Sequence, residues 1–435
     1  MTKKFLQLTR RFLLRSLLKS IFSGIKNYWI IFRQAQTERQ LASGLIRLGN
    51  KINVYFVFTQ AELWGAQSVY EKLAVHEKFE PYVVVMPNFE DRVNSHLNTF
   101  TQNIKKFREL GVKVIHGYSE KTGVINFNSL NQGKPCIVFF DQPNPGLPND
   151  WSFLSVSKSA LICYIPYGFK VANDYQGHFN QLLHNIAWRI FCETEWHLNQ
   201  FKKNGRRNGE NVVLSGYPKF DSQRGNEKGD SRLYFKNKND IAKKRKVVVW
   251  APHWSVNDSY LGYSTFDRYY EYFSAVVRAR QEFFWVFRPH QRLRYHLTES
   301  GFMTQDKIAE FYQIWEESPN SIHYQWSDYL GLFMQTDALI TDSGSFLAEY
   351  LVTKNPVLLL ESKNSVRYNE FGEEIVRSFY NAQSSEDISS FLDDVVKTGI
   401  DPLKVAREAC SSSVLYPASG SSADLIVDHL HQALF

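Results

Sequence analysis

Four short polar groups in the second half of the chain each follow an apolar run. They are Pro252-His253-Trp254 after VVVWA, Arg288-Pro289-His290 after FFWVF, Ser327-Asp328 after SIHYQ, and Asp342-Ser343-Gly344-Ser345 after ALIT. Arg288 and His290, held by Pro289, offer fixed donors to a diphosphate, and His290 can also protonate or electrostatically relieve a departing phosphate. The Asp342 turn brings two hydroxyls and a glycine to a point where a helix begins, and free backbone N–H groups there favour an anion. A plain reading of the same turn has Ser343 or Ser345 as an N-cap, with Gly344 there for the turn alone. Asp328 can hold a hydroxyl, cap a helix opening at Tyr329, or do both. Glu349, on the helix past the turn, either holds ribose hydroxyls or faces water. Each residue taken singly fits a structural role, whereas together they point to a nucleotide-diphosphate site.

The elements that must carry these groups follow from the patterning around them. In DALITDSGSFLAEYLVTKNPVLLLE (337–361) an apolar run stops at a tight polar turn. A periodic segment follows, and Pro356 opens a second apolar run. That is strand, turn, helix, strand, with the helix crossing between parallel strands. The same alternation extends through VVVWAP, FFWVFRP and SIHYQ, with helices expected near 267–281 and 305–317. Upstream it reads INVYFVF, YVVVM, VKVI, CIVFF, ALICYI and NVVLSG, with helices near 65–76 and 95–110. In open α/β sheets ligands bind beyond the carboxyl ends of the strands, where all four polar groups fall.

At 435 residues the chain exceeds what one core usually serves. The expectation is an α/β protein with two Rossmann-like domains facing each other. An N-terminal α/β acceptor domain spans 50–221, a basic linker 222–246, a nucleotide-donor α/β domain 247–400 and a helical tail 401–435. Between Met1 and Arg33 lie eight basic residues and no acidic one, which exceeds the whole surplus of +7. The remaining body is nearly neutral and no general nucleic-acid binder. Leu14, Leu17, Leu18, Ile21, Phe22, Ile25, Tyr28, Trp29 and Phe32 alternate with those basic residues at helical spacing. Residues 1–34 therefore read as a basic amphipathic helix, lying either on an anionic membrane surface or against the protein's own core. No apolar run approaches the roughly 20 residues of a membrane span. Cys136, Cys163, Cys192 and Cys410 are widely spaced and suggest buried thiols in a reducing compartment.

On the residues APHW (251–254), FRPH (287–290) and SDYLGLFMQTDALITDSGSFLAEYLVTKNPVLLL (327–360), the chain resembles the CDP-glycerol glycerophosphotransferase family of teichoic-acid and capsule polymerases. Leu63-Trp64, Ser68-Val69-Tyr70 and Gly216-Tyr217-Pro218 are similar to that family as well. The resemblance implies a GT-B fold and donor-diphosphate contacts from His290, Ser343 and Ser345, with Asp328 and Asp342 shaping the site. It departs at the first domain's Trp-His-Gly element, whose histidine is proposed to deprotonate the acceptor. Pro166-Tyr167-Gly168 stands there, leaving His253, His178 or His184 as substitutes. The Asp-Ser-Gly-Ser turn, with Glu349, also looks like a segment of UDP-N-acetylglucosamine 2-epimerases.

The expected function is a transferase at the cytoplasmic face of the cell membrane. It would use a CDP-activated polyol phosphate and a lipid-linked or glycan acceptor to extend a cell-surface polymer through phosphodiester bonds. The expected site has His290, His253 and Asp342 as catalytic groups and Arg288, Asp328, Ser343, Gly344, Ser345 and Glu349 as donor-binding groups. No metal or cofactor is required, since there is no Asp-x-Asp element and Arg288, His290 and the helix start can neutralise the diphosphate. The alternatives are a GT-B glycosyltransferase or epimerase using a UDP- or GDP-sugar, and a scaffold without catalysis.

Overall fold

The computed structural model describes residues 30–47, 49–89, 96–223, 235, 238–258, 261–325, 328–414 and 420–435. The strands of the first sheet are β1 (Ile52–Phe58), β2 (Phe79–Val85), β3 (Val114–His116), β6 (Cys136–Phe140), β7 (Ala160–Tyr164), β8 (Arg189–Cys192) and β9 (Val212–Leu214). A separate short hairpin pairs β4 (Tyr118–Ser119) with β5 (Gly123–Val124). The second sheet contains β10 (Lys246–Ala251), β11 (Phe283–Phe287), β12 (Ser321–His323), β13 (Ala338–Thr341), β14 (Val357–Leu360) and β15 (Tyr380–Ala382). Strand order is β3-β2-β1-β6-β7-β8-β9 in the first and β12-β11-β10-β13-β14-β15 in the second, parallel throughout. Chain order thus reverses between β1 and β6 in one sheet and between β10 and β13 in the other. Those are the topological switch points where such sheets open a crevice.

Both sheets are covered on each face, which is why their strands read as continuous apolar runs. Phe56, Phe139 and Phe191 lie on one face of the first sheet, while Tyr55, Val138 and Ile162 lie on the other. In the second sheet Trp250 stacks on Phe273 with ring centroids 4.0 Å apart, beneath the Phe266–Ala279 helix. The helices predicted near 267–281 and 305–317 form at Phe266–Ala279 and Gln305–Glu317. Strands β8 and β15 carry no sequence signature of their own: each is four residues or fewer, and pairing with neighbours makes the strand.

The basic amphipathic segment lies almost wholly outside the described residues. A helix runs over 30–47, continuing past the expected end at 34. It packs on the first domain, with Glu38 paired to Arg207 at 2.9 Å and Leu45 buried in the core. Its described part thus serves the protein's own core. At the other end, the Ser422–Leu434 helix returns to the first domain, burying Ile426, Leu430 and Leu434 beside Leu73. Asp221 fixes its start by accepting from the Ser422 and Ala423 N–H groups. Among the described residues no helix is long and apolar enough to cross a membrane. All four cysteines are buried and none forms a disulfide.

The domains touch through a segment after β7. The Ala172–Tyr368 antiparallel bridge, the Asn173 N–H to Arg367 carbonyl bond and the Asn369 N–H to Val171 carbonyl bond sew this strap to the second domain. Asn369 Nδ2 also donates to the Lys170 carbonyl at 2.7 Å. A Cβ on Gly372 would lie 2.6 Å from the Val171 carbonyl, so only glycine admits the strap there.

Candidate active site

At the second switch point, Asp342 directly follows β13 and is 1% exposed. Oδ1 accepts from the His253 N–H at 2.5 Å, and Oδ2 accepts from the Thr265 N–H at 2.6 Å and its hydroxyl at 2.8 Å. Asp342 thereby fixes the loop after β10 to the end of β13. Burial raises its pKa to about 6 against those three bonds, which favour the ionised form. Its oxygens serve the protein's own donors, so Asp342 shapes the rim from behind.

The loop it holds presents His253. The Ser255 hydroxyl oxygen accepts from the Tyr263 and Ser264 N–H groups at 3.0 and 3.1 Å, leaving its proton to point at His253 Nδ1, 2.8 Å away. This assigns the imidazole proton to Nε2. His290 has the same polarity, because its Nδ1 accepts from the Arg292 N–H at 3.2 Å. The two rings lie 5.4 Å apart, centroid to centroid. Burial holds both neutral, His253 at about 3 and His290 well below the usual value. The pair therefore offers two neutral N–H donors, suited to phosphate oxygens. In this tautomer the lone pair of His253 is at Nδ1, where it already accepts from the Ser255 hydroxyl and N–H.

Arg288 and Glu349 are also held by protein. The guanidinium lies over the rings of Tyr329 and Phe346, 5.1 and 5.3 Å from their centroids, and Nη1 donates to the Pro289 carbonyl. Its buried Nε has no partner among the described residues, and burial lowers its pKa. Glu349 neither faces water nor offers free oxygens for a ribose. It accepts from the Tyr329 hydroxyl at 2.7 Å and lies 2.8 Å from the Tyr217 hydroxyl. Lys219 Nζ donates to the Tyr329 hydroxyl at 2.8 Å, so residues of both domains meet on this one buried carboxylate.

The Gly344–Tyr350 helix begins at Ser343, which makes no side-chain capping bond. The Ser343 N–H donates to the Thr341 hydroxyl at 3.0 Å. A Cβ on Gly344 would approach Val171 of the strap at 3.2 Å, so the glycine permits close domain contact as well as the turn. Ser345 lies in the first helical turn. Asp328 caps the Tyr329–Phe333 helix by accepting from the Gly331 N–H at 3.0 Å. Ser327 lies outside the described residues. The structure thus gathers His253, His290 and the Asp342 turn at the second switch point, with Arg288 and Glu349 in the domain contact behind it.

His178 and His184, the other substitutes for the base, lie in the first domain. Burial depresses them to about 4 and about 3. His184 Nδ1 accepts from the Gln181 N–H, and its ring packs against Tyr164 and Phe201. Nothing in the sequence pattern singles out Thr265, Ser255, Lys219 and Tyr329, whose roles depend on contacts across 8 to 110 residues. Asp141, which ends the CIVFF run as Asp342 ends ALIT, is also absent from the residues expected at the site.

The family model described as CDP-Glycerol:Poly(glycerophosphate) glycerophosphotransferase matches residues 190–370, bearing out the resemblance read from the sequence. The teichoic acid poly(glycerol phosphate) polymerase of Bacillus spizizenii is 27% identical over 185 residues, 42% of this chain and 40% of that protein. The chain thus matches about two fifths of that relative's length. Among solved structures, a variant of the wall teichoic acid polymerase TagF has a TM-score of 0.55 at 12% identity, covering 94% of this chain and 98% of that one. The S. aureus MnaA–UDP co-structure has a TM-score of 0.54 at 15% identity, covering 88% and 98%. These likenesses show the two-domain GT-B fold.

Proposed function

We propose that the chain is a transferase of the CDP-glycerol glycerophosphotransferase kind, moving a polyol phosphate from a CDP-linked donor to a hydroxyl of a growing surface polymer. The observation that carries this reading is the reach of the family match. It spans the APHW, FRPH and DSGS segments, which are the segments that converge on the second switch point.

In this reading the donor diphosphate lies along the carboxyl edge of β10, β11 and β13. His253 and His290 donate through Nε2 to its oxygens, and the Ser343–Ser345 turn contributes further donors. The acceptor oxygen attacks the phosphorus of the polyol phosphate, the bond to CMP breaks, and CMP leaves with the bridging oxygen. Both histidines enter as neutral donors whose hydrogen bonds strengthen as charge moves to the leaving phosphate. Asp342 acts through position, keeping the His253 loop in register. The domain boundaries near 221 and 247, the acceptor role of the first domain, and contact of the basic N-terminal segment with an anionic membrane belong to the same proposal.

The test is calorimetric titration with CDP-glycerol, CMP, UDP and UDP-N-acetylglucosamine, repeated with His290→Ala and with Ser343→Ala plus Ser345→Ala. Cytidine preference, weakened at least tenfold in the variants, is expected. Uridine preference would replace phosphotransfer by sugar chemistry, and no nucleotide binding would favour a scaffold. For the membrane, removal of residues 1–29 leaves the packed 30–47 helix intact and is expected to abolish sedimentation with anionic vesicles. Unchanged sedimentation would refute that part.

A further inference from the structure

The first sheet has its own switch point, between β1 and β6, and a carboxylate stands there too. Asp141 directly follows β6, is 4% exposed, and its Oδ2 has no hydrogen-bond partner among the described residues. It lines a small recess of about 10 Å³, room for one water-sized group, walled by Phe56, Phe58, Phe139, Ile165, Pro166 and Tyr167. A buried carboxylate oxygen without a donor is costly unless something else occupies its lone pairs. The recess is apolar apart from this group, so a single hydroxyl entering it would find Oδ2 as its polar partner.

Two features connect the recess to transfer chemistry. Its wall includes Pro166-Tyr167, in the segment that the sequence resemblance sets against a Trp-His-Gly element. The Tyr167 N–H donates to the Asp141 carbonyl at 3.2 Å, so side chain and segment are adjacent. The recess also communicates with the second domain through charge. Lys219 and Lys170 both act on the Asp141 carboxylate, and Lys219 reaches across to Tyr329 and thence Glu349. The Tyr167 carbonyl itself lies 2.6 Å from the Tyr217 hydroxyl, beside Glu349.

Resting on the phosphotransfer reading above, we infer that Asp141 is the catalytic base of this chain, taking the proton of the acceptor hydroxyl at Oδ2 from within the β1/β6 crevice. The acceptor O–H bond breaks toward Oδ2 as the oxygen bonds to the donor phosphorus. The phosphorus–oxygen bond to CMP breaks, and the proton leaves later from the neutral carboxylic acid to water. A carboxylate can serve as a general base as an imidazole does. The charged groups acting on the Asp141 carboxylate are Lys170 on the strap and Lys219 after β9, while Tyr164 on β7 feels Asp141 together with Glu193 after β8 and Tyr167. Burial carries the Asp141 pKa up to about 8, the two lysines working against it. Ionisation of the base should therefore give the reaction an ascending limb on the alkaline side of neutrality.

The experiment uses the full chain, CDP-glycerol as donor and a short oligo(glycerol phosphate) as acceptor, with CMP release followed from pH 6 to 9.5. Asp141→Asn is expected to lower kcat by about 10²- to 10⁴-fold while CDP-glycerol binding stays within twofold. Asp141→Glu should retain part of the rate. Lys219→Met should move the ascending limb to higher pH, a shift that a merely structural lysine would not produce, and it serves if the Asn variant fails to fold. Turnover within threefold of the parent in Asp141→Asn, or an unmoved limb in Lys219→Met, would overturn the assignment while leaving the donor site standing. Absence of CDP-glycerol binding by the parent would overturn the phosphotransfer reading and this inference together.

Discussion

The two switch points place the same residue type in opposite circumstances. Asp342, between β10 and β13, receives three hydrogen bonds and joins two loops, whereas Asp141, between β1 and β6, keeps a buried oxygen without a donor. Both follow an apolar strand and both are almost fully buried. The difference lies in what surrounds them. The loop after β10 wraps back so that the His253 and Thr265 N–H groups converge on Asp342, while Asp141 looks into a recess lined mainly by rings. A saturated carboxylate is a structural fastener, and an unsaturated one is a group waiting for a partner.

Stability measurements can break this comparison. Asp342→Ala orphans two buried N–H groups and a hydroxyl at roughly 1–3 kcal/mol each, and is expected to lower stability by about 3 kcal/mol or more at pH 7. A loss below about 1 kcal/mol in denaturant unfolding would show that the loop does not depend on the carboxylate. Asp141→Asn should behave in the opposite way. The folded-state pKa of about 8 lies above the ordinary aspartate value of 3.8, so the contribution of Asp141 is fully present below pH 4 and is lost as pH rises toward 8. Relative to the parent, the Asn variant should therefore gain on the order of 2 kcal/mol or more between pH 5 and 8, read as a difference in unfolding free energy at each pH. A pH-independent difference would mean that the carboxylate is solvated in solution.

The strap that brings the two switch points together gives smaller effects. Gly372→Ala places a methyl group against the Val171 carbonyl and should cost about 1–3 kcal/mol, with the domains loosened as seen in small-angle scattering. An unchanged profile and stability would show that the strap yields freely. Tyr217→Phe removes one hydroxyl from Glu349 and the Tyr167 carbonyl, and should cost about 1 kcal/mol. A loss of catalysis exceeding tenfold in that variant, with donor binding intact, would sharpen the case for coupling between the two carboxyl edges.

Much of this architecture is determined by the sequence alone. Runs such as VVVWA, FFWVF and ALIT are apolar on consecutive residues because both faces of a parallel sheet are covered. The polar groups ending them must then appear at the carboxyl edge. Hence the rim at the second switch point, with His253, His290 and the Asp342 turn, is legible without coordinates, as is the resemblance behind the proposed chemistry. Tertiary structure decides which of those groups are available. Glu349 and Arg288 look like ligands from their position on a helix and at a strand end, yet Tyr217, Tyr329 and Phe346 enclose them from separate parts of the chain. The His253 tautomer depends on Ser255 being filled by N–H groups eight and nine residues further on. Asp141 carries the same strand-end signature as Asp342. Hydrogen-bond saturation is a property of three-dimensional convergence, and spacing along one chain does not encode which carboxylate the folded backbone will satisfy.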